Sequence, residues 1–228
     1  MQIAIVETSR GGGAVPEFDP IRSNRSMSSR ARTTPSPIRG PDLAAGAPRA
    51  VPVGDDGAMN PGSQESFPTD LDTRLLAAAI AIAGRARERG NHPFGALLTG
   101  PDGAVLLEAE NTVVTGRDAT GHAETNLVRA ATAAYDAEFL RGCTVYTSCE
   151  PCVMCAGAIY WANIGRVVYA LGEDQLLGLT GANRENPTMA LTCRAVFAAG
   201  QRRIAVVGPV ELAEAWAVHG GFWRGTTA

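Results

Sequence analysis

Apolar positions recur in short alternating blocks from Phe67 onward, and no sustained periodicity precedes them. Thr69 or Asp70 is placed to cap a helix running through Leu71, Leu75, Ala78 and Ile82 to Arg89. Gly90 then suits the left-handed position just past its end. Gly95 to Thr99, a turn through Pro101-Asp102-Gly103, and Ala104 to Val114 predict a β-hairpin. The pattern predicts a helix from near His122 to about Tyr135, a strand over Cys143 to Thr147, a helix over Cys152 to Ala162 and a buried strand over Arg166 to Leu171. Beyond Glu173 it predicts a loop, a short helix around Leu191 to Ala199, a strand over Arg203 to Val207 and a helix over Val210 to Val218. Helices and strands alternating after an opening hairpin predict an α/β fold, a three-layer α/β/α sandwich around a mixed sheet. No internal repeat is visible.

Composition separates the chain into two parts. Residues 1–66 are rich in Gly, Pro, Ser and Arg, with runs such as Gly11-Gly12-Gly13, and are expected to form a disordered extension. Seven arginines against three acids make the stretch from Arg10 to Arg49 mildly basic, and Met59 is a candidate start. Residues 67–228 carry 13 arginines and 16 acids, and the whole chain has a formal net charge of −3. That balance disfavours tRNA or any other long nucleic acid as the main partner. No stretch approaches the ~20 apolar residues of a membrane span, so no membrane partner and a cytoplasmic location are expected. Five cysteines, an odd number without framework spacing, point in a reducing compartment to metal or redox chemistry.

Three of those cysteines fall within Thr147-Ser148-Cys149-Glu150-Pro151-Cys152-Val153-Met154-Cys155. Cys152 and Cys155, three apart at a helix start, share one face and can reach one ion. Pro151 suits the helix entry, and the positive end of a helix dipole favours the thiolate that a metal needs. Thirty residues upstream, Gly121-His122-Ala123-Glu124 opens another predicted helix and adds an imidazole. Three ligands and one vacancy describe a catalytic zinc, one Zn2+ per chain. Cys149 or Cys143 in the fourth position would describe a structural zinc instead. Glu124, two residues past His122, is placed to take a proton from water and pass it to a leaving nitrogen. H-x-E followed by P-C-x-x-C is the zinc deaminase signature, which favours catalysis over a zinc-stabilised binding module.

With Asn91-His92-Pro93-Phe94-Gly95-Ala96, Asn111, the His122 triplet and the block from Thr147 to Ala162, residues 91–171 resemble the cytidine and deoxycytidylate deaminase superfamily. Within it they are similar to the bacterial guanine deaminases, tRNA adenosine deaminases and related nucleoside deaminases. The resemblance implies zinc on His122, Cys152 and Cys155, Glu124 as proton shuttle, a five-stranded sheet and a homodimer. It also implies Asn111 at a base carbonyl or ring nitrogen, the Ala123 N–H nearby and Phe94 against the base. Asn111 closing a strand and Phe94 filling a core are the ordinary alternatives. The expected reaction is hydrolytic deamination of a purine base or small nucleoside, with guanine first, then tRNA adenosine, cytosine or another aminated heterocycle. Glu173 or Asp174, just past a strand end, is a candidate acceptor for guanine's N–H donors, or else a helix-capping acid in a solvated loop. An exposed Phe222-Trp223 pair is expected to act as an intersubunit plug or a base-stacking lid, and Tyr160 and Trp161 to serve core or dimer interface.

Overall fold

A computed structural model of the chain describes residues 67–181 and 183–223. The expected disordered extension and Met59 lie outside the described residues. Thr69 caps α1 (Asp70–Glu88): its hydroxyl accepts from the Asp72 N–H, and the Asp72 carboxylate reaches back to the Thr69 N–H. Gly90 follows at φ +81°, as its position predicts. The buried face of α1 is turned from the expected stripe, because Leu71 is exposed and Ala79, Ala83 and Ala86 are fully buried. Those small residues let α1 lie against β1 (Gly95–Thr99). A Cβ on Gly95 would stand 2.4 Å from the Ala83 backbone nitrogen, so only glycine permits the contact.

β1 pairs antiparallel with β2 (Val105–Glu110). β2 stops short of the expected Val114, because the Asn111 side-chain oxygen accepts from the Val113 N–H at 3.1 Å and turns the chain into α2 (Val113–Gly116). Then come α3 (Ala123–Ala134), α4 (Ala137–Arg141), β3 (Thr144–Cys149), α5 (Val153–Trp161) and β4 (Arg166–Leu171). Glu173 starts a helix, α6 (Glu173–Thr180), where the pattern predicts a loop. The remaining elements, α7 (Cys193–Ala198), β5 (Ala205–Val207) and α8 (Ala213–Ala217), are shorter than expected.

Among the described residues the sheet has five strands in the order β2-β1-β3-β4-β5, antiparallel across β1 and parallel from β3 to β5. Strand alternation divides the core into two layers. Ala96, Leu98, Val145 and Val167 face α3, α5 and α7, while Leu97, Tyr146 and Val168 face α1 and α8. Asp72 joins the second layer to the sheet: its buried carboxylate accepts from both Arg166 terminal nitrogens at 2.8 and 2.9 Å and from the Tyr146 hydroxyl at 2.8 Å.

Candidate active site

The two halves of the motif are both helix starts. His122 is the N-cap of α3 with Glu124 its second residue, and Cys152 is the N-cap of α5 with Cys155 its third. Packing of α3 beside α5 brings these ends together. His122 Nδ1 lies 3.7 Å from Cys152 Sγ and 3.6 Å from Cys155 Sγ, and the sulfurs are 3.7 Å apart. Tetrahedral zinc at about 2.3 Å from sulfur and about 2.05 Å from nitrogen requires about 3.8 Å between sulfurs and about 3.6 Å between sulfur and nitrogen. The donors already stand at those separations, and among the described residues they form the group able to hold a metal. Cys149 Sγ rests 3.5 Å from His219 Nε2, and Cys143 is buried where α4 meets β3. Among the described residues neither thiol joins the triad, which leaves three clustered donors, the number a catalytic zinc site takes from its protein.

The Cys152 thiol is pushed down to about 4, chiefly by the hydrogen bond from Cys155 and then by His122, which outweigh burial. Low thiol pKa beside an imidazole favours metal ligation. Glu124 is buried, and burial raises its carboxyl above the ordinary range. Its Oε1 accepts from the Thr147 hydroxyl at 3.2 Å, and its Oε2 lies 3.6 Å from Cys155 Sγ. The carboxylate is therefore aimed along the edge of the donor triangle.

Asn111 is buried at the end of β2. With its oxygen used by Val113, its Nδ2 is the buried side-chain nitrogen or oxygen, among the described residues, left with no hydrogen-bond partner. Ala123 is buried as the first residue of α3, where helix N–H groups lack intrahelical partners. Phe94 is partly buried, its ring 5.4 Å from His219 and 6.1 Å from Trp223. Glu173 is half-buried, and its carboxyl is pushed up to about 7 by burial and then by the negative charge of Cys152, Glu150 and Glu124. Asp174 is exposed. Both line a cavity of about 430 Å³ with Glu150, Leu191 and Pro209, which none of the three metal-type donors lines.

Three features escape the sequence reading. Thr147 projects from β3 onto Glu124, and only the sheet shows which way it faces. Glu150, between Cys149 and Pro151, is buried; its two carboxylate oxygens accept from the Glu173 N–H at 3.1 Å and the Cys193 N–H at 2.8 Å, tying the cysteine loop to α6 and α7. Trp223, expected on the surface, is buried within its own chain. Its indole N–H donates to His219 Nδ1 at 3.1 Å, and its ring lies 5.4 Å from that of His92. That bond places the His219 proton on Nε2, toward Cys149, and burial pushes the imidazole down to about 4.

Residues 69–171 match the family model described as the cytidine and deoxycytidylate deaminase zinc-binding region. The chain is 39% identical over 157 residues to the "probable cytosine deaminase" of Schizosaccharomyces pombe, covering 69% of this chain and 95% of that protein. It is 50% identical over 97 residues to the guanine deaminase of Bacillus subtilis, covering 42% of this chain and 62% of that one. The solved guanine deaminase of Nitrosomonas europaea is 23% identical with a TM-score of 0.54, covers 72% of this chain and 97% of its own, and supports the fold alone. Motif, donor geometry and likeness over nearly the whole length of a relative agree: this chain belongs to the cytidine and deoxycytidylate deaminase family of zinc-dependent C–N hydrolases.

Proposed function

We propose that this protein deaminates a free purine base or small nucleoside, guanine foremost, giving xanthine and ammonia. The observation that carries this reading is the buried Asn111 Nδ2, a donor without a hydrogen-bond partner among the described residues, at the end of the strand that feeds the site. An unmet buried donor costs about 1–3 kcal/mol, which a substrate carbonyl or ring nitrogen recovers on binding. His122, Cys152 and Cys155 would hold zinc, which when bound supplies an acidified water as nucleophile for the ring carbon bearing the amino group. Glu124 accepts the proton of that water and delivers it to the departing nitrogen. Thr147 orients Glu124, Phe94 packs against the base, and the Ala123 N–H lies beside it.

Guanine presents donors at N1 and N2 and an acceptor at O6, so its site needs an acceptor as well as the Asn111 donor. Glu173 is the better candidate of the acidic pair, because it is half-buried and within electrostatic reach of Cys152 and Glu124, whereas Asp174 is exposed. Trp223 and His219 folded against Phe94 favour small substrates over tRNA. Cytosine is the second reading, favoured by the relative matched over 95% of its length. Trp161, 81% exposed at the end of α5, supports a homodimer that buries it, and the five free cysteines suit a reducing cytoplasm.

Ammonia release from guanine, guanosine, cytosine, cytidine, adenine and tRNA tests the assignment. Guanine should give the highest kcat/KM. Faster release from cytosine would move the assignment to the second reading, and release from tRNA alone would end both.

A further inference from the structure

The end of the sheet away from the zinc ligands carries a second cavity. The parallel strands β3, β4 and β5 run toward the metal site at their C-terminal ends, and the segments leading into their N-terminal ends converge at the opposite pole. Arg141 precedes β3, Asn163 and Gly165 precede β4, and Arg202 and Arg203 precede β5, together lining a cavity of about 360 Å³ with Tyr160. That volume falls within the usual range for a small-molecule site.

Three arginines and no acid are among the residues lining this cavity, in a chain whose net charge is −3. Arg202 is accounted for by local structure: its guanidinium lies 4.4 Å from the centre of the Tyr160 ring and donates to the Tyr160 carbonyl and the Asn163 side chain at the end of α5. Among the described residues the other two are exposed and weakly partnered or unpartnered. Arg203 makes no side-chain hydrogen bond or ion pair among the described residues. Among the described residues Arg141 meets only Glu138, at 3.9 Å with both side chains mostly exposed, a contact that water and salt screen. Like charges gathered on one concave surface repel, and an anion bridging them removes that cost. The guanidinium fork matches phosphate oxygens two at a time.

We propose that this arginine-lined cavity binds a small phosphate-bearing molecule through Arg141 and Arg203, at a site separate from the zinc centre. The shared chemistry is the phosphate group, carried either by free diphosphate or by a nucleotide. Isothermal titration of the zinc-loaded full chain at low salt, with inorganic pyrophosphate, guanosine monophosphate and guanosine as separate arms, tests it. Pyrophosphate should bind saturably with a Kd below about 1 mM, as a pair of charge-assisted contacts allows. The affinity should fall at least tenfold in Arg203→Ser and Arg141→Ser and in the charge reversal R203E. Deaminase activity and zinc content should be unchanged in all three, which separates loss of the site from loss of the fold. Tighter binding of the monophosphate than of pyrophosphate would identify a nucleotide as the source. The proposal is overturned by no saturable heat up to 10 mM pyrophosphate (about tenfold above the expected ceiling), by equal binding in the variants, or by guanosine matching its monophosphate outside the zinc site. RNA duplex displacing pyrophosphate with a steep salt dependence would overturn it in favour of a nucleic-acid surface.

Discussion

Thr147→Val removes one hydroxyl from the site and leaves the side-chain shape almost unchanged. In the native protein that hydroxyl donates to Glu124 Oε1 at 3.2 Å with both residues buried, so no bulk water replaces it. Hydrogen bonds to charged groups contribute about 1.5–3 kcal/mol. Part of this is lost equally from ground and transition states, since Glu124 starts and ends the cycle in the same place. A differential loss of about 1.4 kcal/mol corresponds to about tenfold in kcat/KM. The expected outcome is a kcat lower by about that factor with little change in KM and full zinc occupancy. Thr147→Ser keeps the hydroxyl and should recover most of the rate. Steady-state ammonia release and metal content in the three proteins provide the assay. Equal rates in wild type and Thr147→Val, or equal losses in Thr147→Val and Thr147→Ser, would refute the assignment of Thr147 as the residue that orients Glu124.

Asp72→Asn should lower stability at pH 7 by about 2–3 kcal/mol, less than a fully buried broken pair, because the Arg166 side chain is 28% exposed and water can reach it. Burial pushes the Asp72 carboxyl up, but the hydrogen bonds from Arg166, Thr69 and Tyr146 outweigh it and hold the group well below the usual range. The contribution is therefore complete above about pH 4 and lost as pH falls further, so the gap between wild type and variant in urea melts should close by about 1.4 kcal/mol per unit. A gap independent of pH would contradict this account of the network. Cys152→Ala should strip zinc while Cys149→Ala retains it, measured by metal analysis; equal loss would mean a closed structural site. Glu173→Ala should lower guanine turnover about 10²-fold and cytosine turnover less, as expected when a substrate donor loses its acceptor, and equal effects on both bases would remove Glu173 from base recognition.

The convergence of His122, Glu124, Cys152 and Cys155 was readable from the chain because each half of the motif occupies one helix start, where local spacing dictates which side chains lie together. Gly90, β1 and β4 were readable for the same reason: a left-handed glycine and uninterrupted apolar runs are local signals. α6 was not, because Leu176 is its one buried leucine and its first N–H is held by Glu150, 23 residues earlier. The burial of Trp223 was equally hidden. It depends on His219, whose other nitrogen rests on Cys149, 70 positions away. Alternation along β3 does not by itself tell which helix Thr147 faces, so its approach to Glu124 emerges only when α3 is laid across the sheet.

The most direct test of zinc-dependent deamination at this site is the rate of ammonia release from guanine by the zinc-loaded wild type and by Glu124→Gln. The variant should keep its zinc and its fold while the rate falls by about 10² or more, because in the proposed mechanism Glu124 carries the proton without ligating the metal. Near-normal release by Glu124→Gln, or loss of its zinc, would contradict the account.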